Sequence, residues 1–359
     1  MRRIGVLPVA AVALGSVAAA VVLAANGASV RSAADRGPFY GVGLASPPTA
    51  RDSDRMWRSG VRTARFVINW PKVEPTADGG YRWRQADRYM RGVATHSLEP
   101  LPLLFATPSW VARSFLRPPL SSPPARKAWR AFVRAAAARY GPGGSFWAQH
   151  PDLSYDPVHY WQIWNEENSP DFWVPRPSPA SYERLLKIAA QALHATDPSA
   201  KIVLGGMFEG NVSYGAILSW RYLARLYRLG AAHYFDVVGV HPYSPRISGY
   251  KLQIRRVAAT IRRHGHDGTP IWIDEIGWGS GHGGSRLNKG PTGQARMLRR
   301  AFTFATRNRD RLDVRRILWY SWRDSRGAGT CIFCASTGLR RRGGSAKPAW
   351  NEFRRFALR

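Results

Sequence analysis

The chain has 359 residues, 45% hydrophobic and 12% aromatic, with 34 Gly and 26 Pro. That composition fills a large core and excludes a disordered or collagen-like chain. Lys and Arg number 53 against 23 Asp and Glu, a formal net charge of +30, which favours anionic surroundings such as acidic glycan, cell envelope, lipid headgroup or nucleic acid but names no activity.

Arg2 and Arg3 precede Ile4 to Ala25, a stretch without a single charge. A basic start followed by an apolar run reads as a secretory signal, with Ala25-Asn26-Gly27 and Ser32-Ala33-Ala34 as cleavage sites. The run is also long enough to span a bilayer, for which about 20 residues suffice, so a membrane anchor over residues 4–25 is the alternative. Residues 1–36 are thus expected to be a signal or anchor plus a short linker, and 37–359 a single domain. The product is expected to be secreted or at the cell surface, with any membrane contact only through an uncleaved anchor.

From Phe39 onward short apolar runs alternate with helical patterns. Strands are predicted at Phe39–Leu44, Thr63–Asn69, Glu99–Ala106, His159–Trp164, Lys201–Gly206, Val237–His241, Ile271–Glu275 and Arg316–Trp322. They are short and apolar on both faces, as parallel strands buried between layers should be. Between them, Trp129, Phe132, Val133, Ala136, Ala137 and Tyr140 form one helical stripe behind Pro123-Pro124. Tyr182, Leu185, Leu186, Ala189, Ala190 and Leu193 form another, opened by Ser178-Pro179 and stopped by Asp197-Pro198. Eight such β-α repeats predict a closed (β/α)8 barrel, a TIM barrel. An open doubly wound sheet is the rival, and Gly41-Val42-Gly43 is too thin a signal for the phosphate turn it would want.

Barrel chemistry sits at the C-terminal strand ends. The fourth strand runs into Asn165-Glu166-Glu167-Asn168 and the seventh into Asp274-Glu275. A carboxylate at an apolar barrel mouth is costly without a partner or a task. Two of them converging on one cleft suit glycosidic bond cleavage, in which one group protonates the leaving oxygen and the other attacks or stabilises the sugar. Trp350-Asn351-Glu352 repeats the Trp164-Asn165-Glu166 triplet on a closing helical pattern, so only the place after a buried strand gives the triplet weight.

Several motifs recur in one order: Arg62-Thr63-Ala64-Arg65-Phe66, Trp70-Pro71-Lys72-Val73-Glu74-Pro75, Gly80-Tyr81-Arg82-Trp83, Trp164-Asn165-Glu166, His241-Pro242-Tyr243, Asp274-Glu275-Ile276-Gly277-Trp278 and Trp319-Tyr320-Ser321-Trp322. Over Phe39–Arg359 this order resembles the retaining glycoside hydrolases of clan A, in the style of families 5 (cellulase-like) and 39. The resemblance implies Glu166 as acid/base and Glu275 as nucleophile. It further implies Asn165 on the sugar 2-OH, Arg65 holding the nucleophile ionised, His241 and Tyr243 orienting the carboxylates, and Trp322 as the aromatic floor. Glu167 stands where many members have Pro, and Phe105-Ala106-Thr107-Pro108 lacks the His that many family 5 members carry after the third strand.

Trp70, Trp110, Trp173, Trp278 and Trp322 lie at predicted strand ends or in the loops after them, and indole faces suit sugar rings. His264-Gly265-His266 completes no zinc pattern, and neither a metal nor a cofactor is expected. Cys331 and Cys334, the only cysteines, are expected to form a local disulfide in an exported chain. The expected partner is an oligo- or polysaccharide, an anionic one being favoured by the charge; a nucleic acid is not expected. The functional expectation is β-glycoside hydrolysis by double displacement. The alternative is a non-catalytic glycan-binding envelope protein on the same barrel. The oligomeric state is not legible.

Overall fold

A computed structural model describes residues 38–209, 214–326 and 331–359, so the expected targeting segment lies outside the described residues. Among the described residues there are nine strands, all but the fifth and sixth separated by helices. They are β1 (Tyr40–Gly43), β2 (Thr63–Asn69), β3 (Glu99–Phe105), β4 (Tyr160–Ile163), β5 (Lys201–Leu204), β6 (Met207–Phe208), β7 (Val238–His241), β8 (Ile271–Ile276) and β9 (Val314–Tyr320). The helices are α1 (Ala50–Arg58), α2 (Trp70–Val73), α3 (Arg84–Ala94), α4 (Pro123–Tyr140), α5 (Ser145–Gln149), α6 (Pro179–His194), α7 (Ser219–Arg228), α8 (Ile247–Arg263), α9 (Gly290–Arg307) and α10 (Pro348–Ala357). None among the described residues is long and apolar enough to cross a membrane.

Every strand pairing is parallel, and β1 bonds both β2 and β9. The ring closes where Val203 bridges Val237, with the Leu204 N–H donating to the Val237 carbonyl at 3.0 Å. The chain is therefore a (β/α)8 barrel, and closure removes the open-sheet alternative. Its fifth strand is broken at Gly205-Gly206: β5 pairs with β4, whereas β6 pairs with β7. Gly206 has φ +78°, and a Cβ there would sit 2.1 Å from Nε2 of His241. The break lets the backbone pass close to that ring.

The apolar stripes read from the sequence are the buried faces of α4 and α6, each opened by a serine cap, Ser122 and Ser178, that accepts from the third helical N–H. The inside of the barrel floor holds Leu101, Val203, Val237, Trp272 and Leu318, with the Arg316 guanidinium 3.9 Å over Trp272 and paired to Glu99 at 2.7 Å. Toward the mouth, polar side chains replace these.

Two departures from the expected strands matter. β9 runs two residues earlier than Arg316–Trp322, from a left-handed Asp313 (φ 51°) to Tyr320, where the Tyr320-Ser321 peptide is cis. β8 gains a residue against β9, since Ile273 and Ile276 face Ile317 and Trp319. Such a bulge re-aims side chains beside it, and here Asp274 and the following Glu275 both contact Arg65 inside the mouth.

The broken fifth strand gives a stability test. Gly80 is also left-handed (φ +65°), but a Cβ there would meet nothing within 4 Å. Gly80→Ala should cost about 1–2 kcal/mol, the ordinary left-handed penalty. Gly206→Ala should cost more than about 3 kcal/mol by denaturant unfolding, because ring and backbone cannot both keep their places.

Candidate active site

Arg65, on β2, is 6% exposed and has acceptors on three sides. Its Nε donates to Gln162 Oε1 at 2.6 Å, Nη1 to Glu275 Oε2 at 2.6 Å and Nη2 to Asn165 Oδ1 at 2.8 Å. The other oxygen of Glu275 accepts from the Tyr243 hydroxyl at 2.9 Å. Both oxygens of Glu275 thus receive hydrogen-bond donors. Gln162 donates in turn to Asp274 Oδ2 and to the Leu204 carbonyl.

Glu166 follows β4 on a strained backbone: Trp164 and Glu166 have φ of 68° and 45°, unusual for side-chain-bearing residues. The turn is held by Trp164 N–H donating to Leu104, Glu166 N–H to Gly205 and Ser169 N–H to the Glu166 carbonyl. This geometry seats Oε1 of Glu166 2.8 Å from Nδ1 of His241. Burial raises the Glu166 pKa, the nearby Glu275 charge raises it further, and His241 opposes both. For His241, burial alone would lower the pKa, but Glu275, Asp274 and its hydrogen-bonded partners together carry it up to about 10. The imidazole is therefore cationic at neutral pH, with Nε2 3.5 Å from Asp274, an ion-pair distance. One oxygen of Glu166, one of Glu275 and a ring nitrogen of His241 lie within 4.8 Å of one another. A metal would need these donors turned toward it, yet both Glu275 oxygens and Nδ1 of His241 already have partners.

Arg65, Asn165, Glu166, His241, Tyr243 and Glu275 are thus gathered at one mouth. Trp70, Trp173, Trp278 and Trp322 are buried in the protein instead, which corrects their sequence reading, while Trp110 is half-buried. Trp322 is 4% exposed, donates to Asp52 at 3.0 Å and packs edge-on against Trp350, so it is buried at the rim and offers no floor. Trp70 is enclosed by Trp129 and Phe132 and donates to the Glu74 carboxylate. Trp278 is buried against Tyr250 and Trp319. Trp110 packs on Trp70 and donates to the Glu74 carbonyl. Trp173 is buried between Trp164 and Tyr182.

The aromatic rings beside the carboxylates are others. Tyr320, two residues before Trp322, lies where the charges of Glu275, Arg65 and Glu166 act on its hydroxyl. Half-buried Phe208 and Phe333 flank Tyr243, with ring centroids 6.1 and 5.4 Å away. Phe333 sits inside the Cys331–Cys334 loop, whose disulfide is formed. Gln162 and Asp274 also escape the sequence reading, although a polar residue inside each apolar strand is the available signal.

Glu167 lies behind the site, fully buried, with neither carboxylate oxygen hydrogen-bonded. A Cβ on Gly205 would be 2.3 Å from its Oε2. Burial, with Asp274 and Glu166 nearby, pushes its pKa up to about 8 against the relief of its own N–H and His241. A raised carboxyl pKa stabilises the fold below the unfolded value, and that advantage is lost as pH rises through about 8. Glu167→Gln should therefore unfold at a higher temperature than wild type, by roughly 5 °C at pH 8, and the gap should close below about pH 4.5, as read by thermal scans across pH.

No protein-family model matches this sequence, and no curated protein is similar to it at the sequence level. Solved structures do share its architecture. A family 39 glycoside hydrolase from Bacteroides cellulosilyticus superposes with TM-score 0.64 at 18% identity, covering 89% of this chain and 63% of that one. A monomeric β-xylosidase from Caulobacter crescentus gives 0.63 at 21%, over 88% of this chain and 67% of that one. A family 5, subfamily 18 variant from Streptomyces cattleya, in complex with Manβ1-4GlcNAc, gives 0.66 at 15%, over 90% and 80%. The chain spans just under two thirds of the Bacteroides protein. Its fold is that of the family 39 and family 5 glycoside hydrolases, as the resemblance implied.

Proposed function

We propose that this protein is a retaining glycosidase acting on a β-linked oligo- or polysaccharide, with Glu275 as nucleophile and Glu166 as acid/base. The carrying observation is the 4.8 Å limit on the distance between one oxygen of each. Retaining sites hold their carboxyl groups about 5–5.5 Å apart, whereas inverting sites leave roughly 6.5–9.5 Å for a water. The unlike environments of the two support the division of labour. Glu275 has two donors to its anion, and Glu166 is buried with a raised pKa.

In the first step Glu275 attacks the anomeric carbon, the glycosidic C–O bond breaks, and Glu166 gives its proton to the departing oxygen. Glu166 is then an anion beside the His241 imidazolium, which Asp274 helps to keep charged. That compensation lets Glu166 take a proton from water in the second step, as the water oxygen displaces Glu275 and frees the sugar. Asn165, held by Arg65, is placed to bind the sugar next to the reacting carbon. The β-linked disaccharide bound by the similar family 5 structure, and the β-xylosidase name of another, support a β-glycoside here. Export, through residues 1–36, is supported by the Cys331–Cys334 bond, since such bonds persist in oxidising compartments.

Glu275→Ala should abolish turnover of every glycoside. Glu166→Ala should lose roughly 10²–10⁴-fold on a natural glycan yet spare the first step with a dinitrophenyl glycoside, whose leaving group needs no proton. Azide should accelerate that variant and yield a glycosyl azide of retained configuration. In wild type, kcat/KM on a natural glycan should fall as pH rises through the raised Glu166 pKa, above the ordinary carboxylate range, and that limb should be absent on a dinitrophenyl glycoside, whose leaving group needs no proton. If both alanine variants hydrolyse glycans like wild type, the assignment fails. If wild type binds glycan without ever cleaving it, the barrel is a binding protein.

A further inference from the structure

Away from the carboxylates, a cleft of about 380 Å³ opens between the start of α8 and the start of α9. Its walls carry Arg246, Lys289, Arg296 and Arg300, together with Ser248, and no carboxylate. None of the four cations has an ion pair among the described residues, and Arg296 and Arg300 are exposed.

The starts of the two helices bear on the same space as these cations. A helix N-terminus carries a partial positive charge and unpaired N–H groups, so Ser, Thr, Asp or Asn belongs there, with acids in the first turn. Some helices of this chain follow that rule: Thr49 and Asp52 form a capping box on α1, and Asn69, Ser122 and Ser178 cap α2, α4 and α6, whereas α3, α5, α7 and α10 have no side-chain cap. At this cleft two uncapped starts meet. The N-cap residues are Arg246 for α8 and Lys289 for α9, neither makes a side-chain cap, and neither helix has an acid in its first turn. Arg296 and Arg300, four apart on α9, add a repelling like-charge pair. Burial lowers the Lys289 pKa, and Arg286 and Arg296 lower it further, so the ammonium already feels the crowding. Two helix starts and four cations therefore face one space with no negative charge supplied by the chain.

We propose that this cleft is an oxyanion site, binding a sulfate or phosphate group either free or carried on a polyanionic glycan. The bound group would accept from guanidinium and ammonium donors and supply the negative charge both helix starts lack. The site is independent of the glycosidase assignment.

The test is calorimetric titration of the full-length protein with inorganic sulfate, inorganic phosphate, a sulfated oligosaccharide and its unsulfated counterpart. Wild type should bind a sulfated or phosphate ligand at one site and ignore the unsulfated sugar. Arg296→Gln/Arg300→Gln should weaken that binding about ten-fold or more. The matched control is Arg130→Gln/Arg134→Gln, which removes an exposed pair at the same spacing on α4 and should change the affinity less than about two-fold. Without ligand the α9 variant should melt no lower than wild type, because it removes a repulsion. A sulfated sugar binding far more tightly than the free ions identifies the polymer as the source, and equal affinities identify the free ion. Equal weakening in the two double variants, or no saturable binding of any oxyanion, overturns the proposal.

Discussion

Arg65 cannot lie buried at a barrel mouth unless its guanidinium donors find acceptors, and the acceptors it has found are the site. A desolvated guanidinium without partners would cost several kcal/mol, and removing one member of such a buried pair typically costs about 3–5 kcal/mol. Its three donor directions lock Gln162 from β4, Asn165 from the following turn and Glu275 from β8. Gln162 carries the constraint onward to Asp274, and Asp274 faces His241, which meets Glu166. Four strands are thus tied through polar atoms to one side chain. Glu166 stands at the far end of this chain of contacts, paired with His241 and not with the guanidinium.

The carboxylates are crowded beyond what chemistry needs. Glu166, Asp274 and Glu275, with Glu167 buried behind them, lie near two cations, Arg65 and His241. Glu167, with no partner for either oxygen, is the group best placed to remain neutral. Its neutrality keeps the field at Glu166 from becoming more negative. Its bulk fills the space beside Gly205, whose carbonyl accepts the Glu166 N–H and so fixes the strained turn.

The barrel was legible because its evidence is repetitive: each strand is an apolar run of similar length and each helix repeats an apolar stripe. Thr63–Asn69 could be read to the residue, since its polar flanks mark both ends. The last strand could not. Its aromatic end, Trp319-Tyr320-Ser321-Trp322, carries no alternation that fixes parity, and the left-handed turn at Asp313 that starts the strand early has no glycine to announce it. A shift of two residues keeps the face but changes the depth. The aromatic beside Glu275 and Glu166 is Tyr320, and Trp322 lies in the rim. The β8 bulge was equally silent, because the two opposite register shifts between Ile271 and Ile276 cancel and alter no hydrophobic count. The tryptophans misled for a related reason. Indole is as useful for packing a barrel rim as for a sugar face, and Trp70, Trp278 and Trp322 have spent both faces and their N–H groups on the protein itself.

The net charge of +30 invites the thought that the whole surface acts on the Glu275 carboxylate. Distance argues against it. Between exposed charges at physiological salt the potential decays over about 8 Å, whereas Arg65 touches Glu275 at 2.6 Å within the low-dielectric mouth. One buried guanidinium at contact outweighs many solvated ones spread over a barrel of this size. The electrostatics around Glu275 are therefore local and would survive neutralisation of most surface arginines. What the surface charge does reach is an anion approaching from solvent. Its local concentrations, not the total, decide where that anion rests, and a cleft where two helix starts add their own positive ends to four side chains is such a concentration.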